Sequence, residues 1–121
     1  MIGLGIDAVD IERFRKVLAR SPGLAARVFT ADERVLGSRS ADPVPRLAAR
    51  FAAKEATMKA LGVGLGAIGF HDVEVRTAAS GAPSLAVTGR AAALAAALGI
   101  VDFKVSLTHT DNVAEAVVAA L

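Results

Sequence analysis

Pro45-Arg46-Leu47-Ala48-Ala49-Arg50-Phe51-Ala52-Ala53-Lys54-Glu55-Ala56-Thr57-Met58-Lys59-Ala60-Leu61-Gly62 is the stretch on which the fold turns. Proline is tolerated in the first helical turn, and alanine suits the turns that follow. A long helix is therefore expected from about Pro45 to Leu61. It stops at Gly62, because the run Gly62-Val63-Gly64-Leu65-Gly66 does not continue a helix comfortably. At about 100° per residue, Glu55 falls roughly 40° from Phe51 and 60° from Met58. A carboxylate is thus placed on or beside the stripe that faces the core.

Upstream, Ile2 to Val9 alternates. Leu4, Ile6 and Ala8 face one way, and Gly3, Gly5 and Asp7 the other, which reads as a strand. Asp10 caps a helix running to about Arg20, with Ile11, Phe14 and Leu18 as its apolar stripe and Arg13, Lys16 and Arg20 on the opposite side. Thr30-Ala31-Asp32-Glu33 is a capping box that starts a short helix. Downstream the period changes. His71 to Thr77 and Ser84 to Val87 read as strands joined by Ser80-Gly81-Ala82-Pro83. Arg90 to Leu98 reads as a helix ended by Gly99, and Phe103 to Thr108 and Val113 to Ala120 as strands around Asp111-Asn112. Helices lead in the first half and an antiparallel sheet in the second, so the class is α+β. With no repeat and no linker, residues 1–121 read as one small domain in which the long helix packs on the sheet.

The composition narrows the function classes. The chain has 121 residues, 54% of them hydrophobic, with a mean hydropathy of +0.50, which excludes a disordered chain. The longest apolar stretch, Ala91 to Ile100, is shorter than the roughly 20 residues of a membrane-spanning helix, so no membrane partner is expected. The surplus apolar surface is expected to meet another copy of the chain. No cysteine is present, which excludes disulfides and thiolate zinc sites and fits a reducing compartment. The start of the chain does not read as a secretory signal. Without Trp or Tyr, base stacking on aromatic platforms has little support, so no nucleic-acid partner is expected. Charge is uneven: residues 1–60 hold eleven Lys and Arg against seven Asp and Glu, net +4, and residues 61–121 three against five, net −2. A positive half suits an anionic ligand or partner, or is simply a solvated helical surface.

Glu55 carries the most information. A buried carboxylate needs a cation, a hydrogen-bond network or a raised pKa, and Lys59 at i+4 offers an ordinary salt bridge. Lys54 and Lys59 flank Glu55, and Arg50 and Arg46 extend the basic edge. One carboxylate among four cations suits a phosphate-bearing ligand with a bound metal. Asp7 is the natural second carboxylate, because Gly3 and Gly5 on its strand face leave room for a ligand or another backbone. Asp7 could instead cap the first helix, a role that Asp10 fills better. The glycine run is a helix C-cap or a ligand loop. It is not a P-loop, because it follows a helix and lacks the Lys-Ser/Thr ending. His109, in Ser106-Leu107-Thr108-His109-Thr110, is a structural hydrogen-bonder or part of a polar cluster gripping phosphate or a nucleotide. His71 has no companions and receives no role. No nucleophile constellation is present, so metal-assisted transfer of a phosphate-containing group is the chemistry these side chains support.

Gly5-Ile6-Asp7 with Ile11 and Arg13, then Arg50 to Ala56 with Lys59-Ala60 and Gly62, then Ser106 to Thr110, together resemble the holo-acyl-carrier-protein synthase family, the short 4'-phosphopantetheinyl transferases. The match runs from the first strand to the last and includes the Gly81-to-Pro83 turn. Its most specific part is Lys54-Glu55-Ala56 with Lys59-Ala60. The resemblance implies the family fold and the transfer of the 4'-phosphopantetheine arm of coenzyme A to a serine of apo-acyl carrier protein, releasing adenosine 3',5'-bisphosphate. By the same resemblance, Asp7 and Glu55 would hold Mg²⁺, and Lys59 would face the pyrophosphate and help the leaving group. Arg50, Lys59, Gly62, Ser106, Thr108 and His109 would contact coenzyme A. Glu55 or a water on the metal would take the serine proton. Arg13, Lys16, Arg20 and Arg27 would dock the acidic carrier. Val63 is a departure, standing where many relatives carry Thr. The resemblance further implies a cytoplasmic homotrimer with sites at subunit boundaries, acting in fatty-acid biosynthesis. Two alternatives use the same scaffold: a non-catalytic module for acidic carrier-like proteins, and a transferase serving polyketide or peptide synthase carrier domains.

Overall fold

A computed structural model of the chain describes residues 1–121. Strand β1 (Gly3–Asp10) leads into helices α1 (Ile11–Arg20), α2 (Leu24–Val28), α3 (Ala31–Ser38) and α4 (Val44–Leu61). A 3₁₀ turn at Phe70–Asp72 then precedes β2 (Val73–Thr77), β3 (Pro83–Val87), α5 (Gly89–Ala97), β4 (Phe103–His109) and β5 (Val113–Ala120). The expected α+β class holds. Two antiparallel sheets form rather than one: β1-β5-β4 and β2-β3. The first strand of the chain thus pairs with the last, Gly3 opposite Ala120 and Asp7 opposite Ala116. Local sequence patterns carry no information about that pairing.

The helix ends follow the residues. The Asp10 carboxylate accepts from the Arg13 N–H at 2.8 Å, as expected of the first cap. Thr30 and Glu33 form the expected reciprocal capping box. Gly62 closes α4 in the left-handed conformation, φ 74°, so that its N–H and that of Val63 reach the carbonyls of Lys59 and Met58. Two local readings change. Helix α2 is one short turn that no periodicity announced, and His71 and Asp72 lie in the 3₁₀ turn before β2 rather than in the strand.

Helix α4 is the centre of the molecule. On one side Ala52, Ala53, Ala56, Val73, Val75 and Val118 form a core shared with both sheets. On the other Ile11, Phe14, Phe29, Leu47 and Ala48 form a second core with α1 and α2. Alanine on α4 allows close approach, and glycine on β1 makes it closer still. A Cβ on Gly3 would lie 1.9 Å from the Ala60 carbonyl oxygen, and one on Gly5 1.8 Å from that of Ala56. The room left by these glycines is therefore occupied by the α4 backbone. Because side chains alternate along a strand, Asp7 shares this face, while Leu4 and Ile6 point away from α4 and are 60% and 64% exposed. They share the open face of the three-stranded sheet with the exposed Val117 of β5. No helix is long and apolar enough to cross a membrane.

Candidate active site

The close β1–α4 contact sets Asp7 against the last turns of α4. Lys59 Nζ donates to the Ile6 carbonyl at 2.8 Å and to Asp7 Oδ1 at 3.1 Å. The expected i, i+4 salt bridge between Glu55 and Lys59 does not form, because the flexible ammonium goes across to the strand. Glu55 stands one turn earlier on α4. Burial pushes its carboxyl above the usual carboxylate range, the charge of Asp7 pushes it further, and Lys59 pulls it back. Two carboxylates therefore sense each other, and the charge of one ammonium acts on both.

Both carboxylates line a cavity of about 600 Å³ between α1, α2 and α4. Arg13 and Asp10 line it too, and Phe14, Phe51 and Phe70 make an aromatic wall with successive ring centroids 5.3 and 6.0 Å apart. Leu65 of the glycine run lines the same space although it is exposed. Sequence reasoning missed this wall, since the phenylalanines come from separate elements.

The remaining candidates lie elsewhere in the single chain. Lys54 is not part of a basic edge. It is fully buried, 2.8 Å from the equally buried Glu33, and donates to the carbonyls of Phe70 and Val73. Glu33 in turn accepts from the backbone N–H groups of Thr30 and Val75. Capping box, α4 and β2 are thus joined by one satisfied ionic network. The capping box hinted at Glu33, but nothing local links it to Lys54, 21 positions on.

Arg50 is buried as well. It bonds to Thr77 Oγ1 at 3.2 Å and the Arg46 carbonyl at 3.3 Å, and its Nε finds no partner. Burial holds its pKa below the usual arginine range, with Glu33 opposing and Arg46 adding to the fall. This guanidinium sits on the β2 side of α4, beside Lys54 rather than beside Asp7. Gly62 ends α4, and a Cβ there would meet nothing within 4 Å.

The polar cluster expected around His109 is split by the strand's alternation. His109 pairs with Ala114 and shares the α4 face of the sheet, whereas Ser106 and Thr108 pair with Val117 and Glu115 on the open face. All three are exposed on β4, two strands from β1, a lateral distance of about 10 Å at the usual strand spacing. Arg13, Lys16, Arg20 and Arg27 are exposed and make no ion pair, forming a basic surface along α1 and α2. Arg15, between them, is clamped by Asp42 at 2.7 Å and by Glu12.

The donor set suits a hard divalent cation held in part by its ligand. There is no group of three or more His, Cys, Asp and Glu able to enclose a metal. Mg²⁺ commonly takes one or two protein carboxylates and completes its octahedron with water and phosphate oxygens. Asp7 and Glu55 could supply those carboxylates.

Residues 3–118 match the family model of the 4'-phosphopantetheinyl transferase superfamily. The chain is 50% identical to the holo-acyl-carrier-protein synthase of Frankia casuarinae over 120 residues, covering 99% of this chain and 97% of that protein. The synthase of Streptomyces avermitilis is 50% identical with the same coverage. Among solved structures, the Neisseria meningitidis synthase superposes with a TM-score of 0.90 at 29% identity, covering 100% of this chain and 98% of that one. The Helicobacter pylori synthase in complex with coenzyme A gives 0.86 at 30% identity, covering 98% and 99%. A match spanning nearly the whole sequence, at this identity and with the same fold, shows that the chain belongs to the 4'-phosphopantetheinyl transferase superfamily.

Proposed function

We propose that the chain is a Mg²⁺-dependent holo-acyl-carrier-protein synthase. It moves 4'-phosphopantetheine from coenzyme A to a serine of apo-acyl carrier protein and releases adenosine 3',5'-bisphosphate, a step that serves fatty-acid biosynthesis. The observation that carries this reading is that Asp7 and Glu55 line one cavity while Lys59 bonds to Asp7, in a chain of this family. Asp7 and Glu55 would hold the metal, which when bound would supply charge neutralisation to the pyrophosphate. Lys59 turns its ammonium to the departing bisphosphate. Glu55, or a water held by the metal, would take the serine proton. The nucleophile belongs to the partner, in keeping with the absence of one here. The exposed Arg13, Lys16, Arg20 and Arg27 steer and dock an acidic carrier, so association weakens as salt rises.

Coenzyme A also requires Arg50, Gly62, Ser106, Thr108 and His109 in this reading. One chain spreads these over both sides of α4 and both faces of β4. A homotrimer, joined through the open face of the β1-β5-β4 sheet, brings β4 of one copy to the Asp7 site of the next. The exposure of Leu4, Ile6 and Val117 supports that face as the contact.

The test is to incubate the protein with coenzyme A, Mg²⁺ and a competent apo-carrier and follow the carrier's mass. One phosphopantetheine is expected per carrier, and none when a chelator is present. Asp7→Ala and Glu55→Ala abolish turnover with the fold intact. An unmodified carrier with the parent protein overturns the proposal.

A further inference from the structure

The position of Lys59 carries a consequence for how the metal site fills. We infer that Lys59 is a placeholder cation: in the ligand-free protein its ammonium occupies the Asp7 oxygen that a divalent ion needs, and the metal binds by displacing it. The inference rests on the reading of Asp7 and Glu55 as metal ligands.

Three observations support it. The Lys59 ammonium takes two oxygens at once, the Ile6 carbonyl at 2.8 Å and Asp7 Oδ1 at 3.1 Å, so it is seated rather than passing. It chooses these over Glu55, its neighbour at i+4 on the same helix, and so bridges strand to helix across the site. Its side chain is 54% exposed, so the four-carbon stem can swing away without unpacking any core. Asp7, by contrast, is only 18% exposed and held by the close β1–α4 contact. The carboxylate is the fixed partner and the ammonium the movable one.

In the free protein Lys59 offsets the mutual repulsion of Asp7 and Glu55. A divalent ion entering alone must break the Lys59–Asp7 hydrogen bond and leave a cation stranded beside its own charge. A pyrophosphate-bearing ligand removes that penalty by giving the displaced ammonium an anion to bind. Metal and coenzyme A therefore strengthen each other's binding, and part of this reciprocal coupling resides in Lys59. The same side chain holds Asp7 before the metal arrives and then becomes the leaving-group lysine.

The experiment titrates the whole protein with Mn²⁺ without coenzyme A, reading free Mn²⁺ by electron paramagnetic resonance. Breaking a half-exposed ion pair and removing its charge predicts that Lys59→Met binds Mn²⁺ about three- to tenfold more tightly than the parent. Lys59→Arg, which keeps the charge, stays near the parent. Arg13→Met removes an equal charge from the same cavity without touching Asp7, and tightens binding less than about twofold. Repeated with coenzyme A present, the gain in Mn²⁺ affinity due to coenzyme A is smaller in Lys59→Met than in the parent. Unchanged or weaker Mn²⁺ binding by Lys59→Met, or tightening no greater than that of Arg13→Met, overturns the placeholder. Asp7→Asn and Glu55→Gln separate the two readings. If both lose Mn²⁺ while Lys59→Met gains nothing, only the placeholder fails. If both keep parental affinity, the metal site fails and the placeholder with it.

Discussion

Gly5→Ala tests the reasoning most directly, because one added methyl group probes fold and site together. The new Cβ would lie 1.8 Å from the Ala56 carbonyl oxygen and 2.8 Å from the Ala60 nitrogen. Both are backbone atoms of α4, so no side chain can rotate aside. An ordinary carbon–oxygen contact is about 3.3 Å, so strand and helix must part by about 1.5 Å. Overpacking a core costs roughly 1–3 kcal/mol, and a collision with rigid backbone belongs at the upper end, about 3 kcal/mol. For a chain of this length that lowers the melting temperature by roughly 10 °C. Asp7, two residues on along the same strand face, is carried away from Glu55 and Lys59. A misplacement of about 1 Å can cost ~100-fold in rate. Calorimetry and the carrier-modification assay, run on purified Gly5→Ala below its melting temperature, report the two effects separately. Gly64→Ala is the comparator: a Cβ there meets nothing within 4 Å, so stability stays within about 0.5 kcal/mol. If Gly5→Ala melts within 2 °C of the parent and turns over at the parent rate, the close β1–α4 contact is not what positions Asp7.

Lys54→Met leaves Glu33 charged and buried without its cation, so a loss of roughly 3–5 kcal/mol is expected in denaturant titrations. Adding Glu33→Gln recovers part of it, and a fully stable single variant contradicts the network. Glu55 has a raised folded pKa, so the protein favours its protonated form. That stability is fully present below the unfolded pKa and is lost as pH rises through the folded value. Glu55→Gln therefore melts higher than the metal-free parent at pH 7, and the gap closes near pH 4. Ile6→Asp places a charge on the open sheet face, and sedimentation is expected to find monomers that fold but no longer modify the carrier.

Local chemistry was legible in the sequence wherever a few neighbouring residues decide the outcome. The caps at Asp10 and Thr30, the end of α4 at Gly62 and most strand boundaries depend on hydrogen bonds within a turn or a pairing period of two. The resemblance carried on Lys54-Glu55-Ala56 and Lys59 named the family for the same reason: the motif is contiguous. Alternation along β4 was equally available and predicts that Ser106 and Thr108 part from His109. Reading the five residues as one cluster ignored it.

The surplus of apolar residues acquired its meaning only in three dimensions. Part of it is alanine on α4, where Ala56 and Ala60 let a glycine-faced strand come close, and part is Leu4 and Ile6 on an open sheet face. The sequence by itself determined the class of fold, the ends of the capped helices and the family, and it pointed to Asp7 and Glu55 as candidate ligands. Tertiary structure decided which cations serve them. Lys54 and Lys59 look alike in a helix of mixed charge, yet one is sealed against Glu33 and the other reaches Asp7. The physical reason is that a lysine's role depends on which carboxylate, distant in sequence, lies at the end of its stem. Packing β1 and α3 on different sides of α4 sets those distances.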